Sequence, residues 1–301
     1  MVNPIVSILI ITWNRKDILK KNLAKIVLRE EVPTEVIVVD NNSDDGTEQM
    51  LKTSYPNCRY YKMSKNQGIR AYNLGASQAR GKYLLLLDDD SYPASGSVTK
   101  MFQLFEEQPD VGIIPFNILH HETDEKYRTW HIPEISGRVE AVNFIGCGAG
   151  IRSELFKKSG YYPECFFIYE NELDVSLKVL QQGYKIIYDS TIAAYHDFSS
   201  NKRGTPNQIF YGSKNKLLLL WKFFPVKIII LSTIEFFLSS ILLSFKKGFW
   251  LLRWKAWLFA LVQLPGYLKE YPFSGNIHQT TIDKLEPLLQ EFRLKTWLKR
   301  L

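Results

Sequence analysis

LLLLDDDSYP, residues 84–93, runs four leucines straight into three aspartates. With Tyr83 before it, a continuous apolar run of this length reads as a strand buried on both faces, which implies a parallel sheet covered by helices. Gly81-Lys82 opens the run and Ser91-Tyr92-Pro93 closes it. Asp88, Asp89 and Asp90 are therefore expected at the strand's C-terminal end, where open α/β sheets bind ligands. Two like charges about 4 Å apart repel by ~4 kcal/mol at an effective dielectric of about 20. A cation removes that cost. Hard divalent ions such as Mg²⁺ or Mn²⁺ take carboxylate oxygens and often share phosphate oxygens with a substrate. The alternative is a solvated loop in which one aspartate caps a helix starting near Ser95.

Outward from this strand, the first half alternates strands and helices. Strands are expected over 6–11, 35–39, 59–63 and 82–87, and helices over 16–29, 47–54 and 69–79. That alternation argues for a parallel, Rossmann-like sheet. Parallel strands share a direction, so the polar turns TWNR (12–15) and DNNSDDGT (40–47) fall on the same side as residues 88–90. The second half is less regular. It offers a helix over 95–107, a strand over 111–118 and a Gly-rich turn at Gly146-Cys147-Gly148-Ala149-Gly150. Ser153 then caps a helix start, and a helix over 171–182 ends at Gly183. Strands follow at 184–188 and 192–195, the second delivering His196. His120-His121-Glu122 reads as a surface loop with no third ligand nearby.

At 301 residues and 46% hydrophobic content, the chain folds around one large core, or one core plus an appendage. Three widely spaced cysteines, Cys58, Cys147 and Cys165, form neither a zinc spacing nor a disulfide framework, which suits a reducing compartment. The N-terminal stretch lacks a basic leader region and reads as a first strand. Asn41-Asn42-Ser43 matches a glycosylation sequon, without consequence in the cytosol.

The net charge of +7 is uneven. Residues 206–301 hold 14 Lys+Arg against 5 Asp+Glu, and residues 1–205 hold 24 against 26. Five of the seven tryptophans, Trp221, Trp250, Trp254, Trp257 and Trp297, also lie after residue 206. Trp interleaved with Lys and Arg beside apolar helices is the composition of a membrane interface. Residues 226–245 would form a helix of ~30 Å, long enough to span a bilayer, but Glu235 in mid-run argues against spanning. Two interfacial helices on the cytoplasmic leaflet are expected, peripheral or monotopic. Trp250, Trp254, Trp257 and Leu261 form one stripe, and Leu285, Leu288, Leu289, Phe292 and Leu301 another. The alternative is an ordinary helical subdomain or a dimer interface, with a homo-oligomer as the result. Nucleic acid is not an expected partner, since no aromatic-basic platform on strands is visible.

Residues 1–200 resemble an inverting glycosyltransferase of family 2 with the GT-A fold, bacterial rhamnosyltransferases among them. The pieces that carry the resemblance are VSILIITWNR, EVIVVDNNSDDGT, NQGIRAYNLGASQARGKYLLLLDDDS and GCGAGIRSELFKKSGYYPECFFIYENELDVSLKVLQQGYKIIYDSTIAAYH, in that order. The resemblance implies a GT-A domain over 1–205, with a nucleotide-binding half (1–90) and an acceptor-binding half (91–205), followed by a membrane-associating helical region over 206–301. It implies that Thr12, Asn14, Arg15, Asp40, Asn42, Asp88 and Asp89 meet the nucleotide of a UDP- or dTDP-sugar. It implies that Asp90 holds Mn²⁺ or Mg²⁺, assisted by His196 unless that histidine is structural. Arg70, at a helix start, is a candidate phosphate partner or a solvated cation. Gly148 and Ala149 would present backbone to the acceptor, or simply turn the chain.

An inverting transfer needs a general base on the acceptor hydroxyl. Aligned with the family pattern, FFIYENELDVSLK (166–178) puts Glu172 at that position. The family more often shows Glu-Asp where this chain has Asn171-Glu172, which leaves Glu170 and Asp174 one turn away as alternatives; first-turn acids also favour the helix dipole without catalysis. The implied activity is metal-assisted transfer of a sugar to a lipid-linked saccharide in cell-surface polysaccharide synthesis. The rival is a catalytically silent module that binds a nucleotide sugar or scaffolds a membrane assembly.

Overall fold

The computed structural model describes residues 3–27, 32–126, 136–197, 206–247, 250–285 and 289. The leucine run is β4 (Tyr83–Asp88), and Tyr83 through Leu87 have no exposed surface. It lies beside β1 (Val6–Thr12) in an eight-stranded sheet that also contains β2 (Thr34–Asp40) and β3 (Arg59–Lys62). These four run parallel in the order β3-β2-β1-β4. Helices α1 (Lys16–Val27), α2 (Thr47–Ser54) and α3 (Ala71–Gln78) connect them. A short 3₁₀ turn, Gly68–Arg70, precedes α3. The expected start of that helix at residue 69 is therefore the turn, and the end of α1 beyond Val27 lies outside the described residues.

The second half extends the same sheet beyond β4. Two more of its elements, β5 (Ser91–Pro93) and α4 (Ser97–Glu107), come first in the chain. The expected strand over 111–118 is two strands. β6 (Val111–Pro115) stays in the large sheet, while β7 (Asn117–His120) crosses into a three-stranded sheet with β5 and β11 (Ala193–His196). The break falls at fully buried Phe116, so the apolar pattern runs on through it. β8 (Arg138–Ala141) and β10 (Lys185–Asp189) complete the far edge.

The Gly-rich stretch departs most from the sequence reading. Ala149–Arg152 is β9, a central strand paired antiparallel with both β4 and β6. The glycines here serve packing. A Cβ on Gly150 would lie 2.4 Å from the Met101 sulfur on α4, and one on Gly148 2.6 Å from Ile118 on β7. Ser153 begins α5 (Ser153–Lys158) as its first helical residue, and its hydroxyl donates to the Gly81 carbonyl instead of capping the helix.

A second apolar cluster joins the C-terminal helices to the body of the protein. α6 (Asn171–Gln181) turns Leu173 and Leu177 onto Leu217–Leu220 and Phe223 of α7 (Pro206–Phe223). Phe236 of α8 (Val226–Lys247) and Ala260 and Tyr267 of α9 (Trp250–Glu270) belong to the same cluster. Ile282 of α10 (Gln279–Lys284), Leu285 and Leu289 close it. The tryptophan stripe is divided. Trp254 and Trp257 lie edge-on to Phe237 of α8, whereas Leu261 is exposed. The Trp250 side chain, Gly248, and Leu288, Phe292 and Leu301 of the last stripe lie outside the described residues. Among the described residues, no helix is long and apolar enough to cross a membrane.

Candidate active site

The strand order reverses between β1 and β4, and open α/β sheets bind ligands in the crevice at such a point. The ends of β1, β2 and β4 meet there. Asp88 keeps 42% of its side chain exposed, while Asp89 and Asp90 are buried at 5% and 6%. Arg15 spans the last two, with Nη1 2.6 Å from Asp89 Oδ1 and Nη2 2.7 Å from Asp90 Oδ2. The chain itself therefore supplies one cation against the carboxylate repulsion. Thr12 Oγ1 donates to Asp89 Oδ2 at 2.8 Å, and Asn22 Nδ2 donates to the Asp89 carbonyl. Asp89 thus fastens the first loop to β4. Burial outweighs Arg15 and pushes its carboxyl up to about 7.

Asp90 points its other oxygen across the site. Oδ1 lies 3.1 Å from His196 Nε2, at the end of β11, and Asp88 Oδ2 lies 4.0 Å from the same nitrogen. Burial alone would raise Asp90, but His196 and Arg15 hold it below the usual carboxylate range. Burial alone would lower His196, and the two aspartates raise it instead. Asp88, Cys147 and His196 each offer a ligand atom within 4.8 Å of the others. Burial, with Asp88 and Asp90 nearby, keeps the Cys147 thiol far above its ordinary range and neutral.

The two polar turns interlock. Asn14 and Asn42 both hold left-handed backbone, at φ 53° and 69°. The Asn14 amide donates to Ser43 Oγ, and the Asp44 amide donates to Asn14 Oδ1. Asp40 is fully buried, with Oδ1 accepting from the Ser43 amide and Oδ2 from the Tyr60 hydroxyl at 2.8 Å. Arg70 turns toward the C-terminal region, with Nη1 2.5 Å from Glu164 Oε2. There it lines a cavity of about 240 Å³ with Phe167, Tyr211, Lys214 and Phe259.

Glu172 sits in the first turn of α6. Its Oε1 accepts from the Gly146 amide at 3.3 Å. Burial pushes its carboxyl up to about 7, with Glu170 and Asp88 adding to the effect. Gly146 and Cys147 are consecutive, so one dipeptide meets Glu172 through its amide and approaches Asp88 and His196 through its thiol. Asp174, the alternative base, is fully buried instead. It pairs with Lys178 at 2.5 Å and accepts from the Tyr267 hydroxyl of α9. Glu170 lies 3.5 Å from Lys216 of α7. Gly148 and Ala149 are packed inside the body, Ala149 with no exposed surface.

Four further residues shape the site without having stood out in the sequence. Trp13 is 52% exposed between Thr12 and Asn14, an aromatic in a polar post-strand turn. The Tyr72 hydroxyl donates to the Leu87 carbonyl at 2.7 Å, just behind Asp88. Cys147 reaches the cluster from a segment that no local pattern ties to it. Asn215 Nδ2 donates to the carbonyls of Ile168 and Tyr169, at 3.0 and 2.7 Å. That clamps the turn in which Tyr169 and Glu170 both take positive φ.

A family model described as "Glycosyl transferase family 2" matches residues 7–177. The GalNAc(5)-diNAcBac-PP-undecaprenol beta-1,3-glucosyltransferase of Campylobacter jejuni is 29% identical over 109 residues, 35% of each chain. A Methanococcus voltae enzyme is 22% identical over 265 residues, covering 79% of this chain and 81% of its own. It is named as a dolichyl N-acetyl-alpha-D-glucosaminyl phosphate 3-beta-D-2,3-diacetamido-2,3-dideoxy-beta-D-glucuronosyltransferase. Among solved structures, GalNAc-T7 with UDP, GalNAc and Mn²⁺ superposes with a TM-score of 0.63 at 14% identity, over 91% of this chain and 59% of that one. The likeness in fold agrees with the GT-A expectation.

Proposed function

Because the chain belongs to glycosyl transferase family 2, we propose that it transfers a sugar with inversion from a UDP- or dTDP-sugar to a lipid-linked saccharide in cell-surface polysaccharide synthesis. One observation carries this reading. A half-buried carboxylate with a near-neutral pKa, Glu172, is joined through Gly146-Cys147 to a carboxylate–imidazole cluster at the switch point of the sheet.

The residues of that cluster fit a divalent ion. Asp88, Asp90 and His196 offer two carboxylates and an imidazole, a set suited to Mn²⁺ and, through its oxygens, to Mg²⁺. The neutral Cys147 thiol is a poor partner for so hard an ion. Bound there, the ion would supply positive charge to the departing nucleoside diphosphate. The interlocked turns at 12–15 and 40–44 hold the nucleotide, and exposed Trp13 gives its base a surface to stack on. Arg15 holds Asp89 and Asp90 in register beneath it. Glu172 takes the proton from the acceptor hydroxyl, on the side of the sugar away from the diphosphate. A carboxylate near 7 is well matched to this task, being half ionised at working pH and more basic than a solvated glutamate.

The lipid-linked acceptor agrees with what the relatives are named for, a polyprenyl diphosphate glycan in one and a dolichyl phosphate glycan in the other. It also suits residues 206–301 as a region that sits peripherally on the cytoplasmic face of a membrane. The test is a panel of nucleotide sugars incubated with Mn²⁺ or Mg²⁺, with and without a prenyl-diphosphate-linked saccharide. Donor consumption by the wild type that collapses in Glu172→Gln supports the reading. A panel in which no donor is bound or consumed overturns it.

A further inference from the structure

The loop at His120-His121-Glu122 gains a third partner in the fold. β7 and β11 run parallel, with His120 opposite His196, so Asp197, one residue beyond the strand, arrives beside the histidine pair. His120, His121 and Asp197 each offer a ligand atom within 4.8 Å of the others. A second, independent observation points to a ligand. His121 Nδ1 is buried and has no hydrogen-bond partner. Its Nε2 lies 3.4 Å from Glu122 Oε1. One nitrogen left open and the other against a carboxylate is how metal-bound histidines are usually held. His120 Nδ1 takes a long 3.3 Å hydrogen bond from the Glu122 amide, and such a bond is weak enough to give up on ligation.

We propose that His120, His121 and Asp197 form a second cation site, specific for a borderline transition ion such as Zn²⁺ or Co²⁺. Two imidazoles and one carboxylate, with remaining positions open to water, suit Zn²⁺ and not Mg²⁺. The three side chains are half-buried, and an ion about 2 Å from each would draw together donor atoms that already lie within 4.8 Å of one another. The site is distinct from the one at Asp88, Asp90 and His196, yet the two are tied. His196 and Asp197 are consecutive, and the Asp197 amide donates to the Asp90 carbonyl at 3.2 Å. An ion on the second site therefore bears on the backbone that carries the first.

The experiment uses the full chain stripped of metal and titrated with Co²⁺, read by visible absorption and by metal content after gel filtration. The wild type is expected to bind two equivalents. Asp90→Ala keeps one, with its absorption band, whereas His121→Ala and Asp197→Asn each lose that band and keep the other equivalent. Zn²⁺ in excess should displace the band in Asp90→Ala, and Mg²⁺ should not. An Asp90→Ala protein that binds no Co²⁺ overturns the proposal, as does a band that survives His121→Ala and Asp197→Asn together. Circular dichroism on each variant separates loss of a ligand from loss of fold. None of these readouts depends on sugar transfer, so the site stands or falls apart from the transferase reading.

Discussion

At the scale of single residues, the proposed role of Glu172 as base would tie activity and stability together with opposite signs. In that role it must be ionised, so transfer should rise with pH through about 7, where burial sets its carboxyl. Glu172→Gln keeps the shape and removes the basicity. Turnover should fall by about 10²–10⁴-fold, with UDP affinity nearly unchanged, as kcat and nucleotide binding on one preparation would reveal. Stability should move the other way. A folded-state pKa above the ordinary carboxylate value stabilises the fold at low pH, and that contribution is lost as pH rises through about 7. The neutral glutamine never suffers the loss, so Glu172→Gln should gain on the wild type in Tm between pH 5 and pH 8. A variant with near-normal turnover would remove Glu172 as the base. Asp174, fully buried against Lys178 and Tyr267, is then not the natural replacement. Asp90→Ala makes a different prediction. It removes the Asp90 partner of Arg15 Nη2 and His196 Nε2, and Mn²⁺-dependent UDP binding in titration calorimetry should vanish while the circular dichroism spectrum persists.

At the scale of elements, the legible parts are those in which one environment acts along a whole segment. β4 is covered on both faces, so its burial is written as an unbroken apolar run, and β1 and β2 follow the same rule. β9 is just as central but was hidden, because the close approach of α4 and β7 demands glycine where strands usually carry branched residues. The crossing at Phe116 was hidden because a buried residue between two sheets looks like one within a strand. Long-range pairings left no local trace. Arg15 with Asp89, Asp197 with the histidine pair and Asn215 with the turn before α6 join segments far apart in the chain. Two predictions follow from such contacts. A Cβ at position 150 would force Met101 aside, so Gly150→Ala should cost about 1–3 kcal/mol in denaturant unfolding. Asn215→Ala releases the carbonyls of Ile168 and Tyr169. Its kcat should drop while donor KM holds, because the turn leads to Glu172 and not to the nucleotide loops. An equal loss in both parameters would mean a general loosening.

At the scale of the whole molecule, α8 leaves Val226, Ile230, Ile234, Leu238 and Ile241 exposed at helical spacing, and α9 leaves Leu251, Leu258 and Val262. Lys227 and Lys255 are exposed on the same helices. Apolar faces edged with lysine suit an anionic bilayer surface. Flotation with anionic vesicles should therefore carry the wild type upward, and the paired change Ile230→Asp with Ile234→Asp should abolish it. A protein that ignores vesicles and instead elutes as a dimer would assign these faces to a second copy. Where the faces do meet lipid, the contact between Tyr267 and Asp174 has a consequence for energetics. Tyr267 belongs to α9, and Asp174 stands two residues from Glu172 on α6. One hydrogen bond then joins the helix seated on the membrane to the helix that begins beside Glu172, and any coupling between the two equilibria acts equally in both directions. If vesicles raise the affinity for acceptor by some factor, acceptor must raise the partition onto vesicles by that same factor. Enzyme loaded with a non-reactive acceptor should cling to the bilayer longer than empty enzyme, and Tyr267→Phe should erase the difference while leaving the adhesion of the empty protein intact.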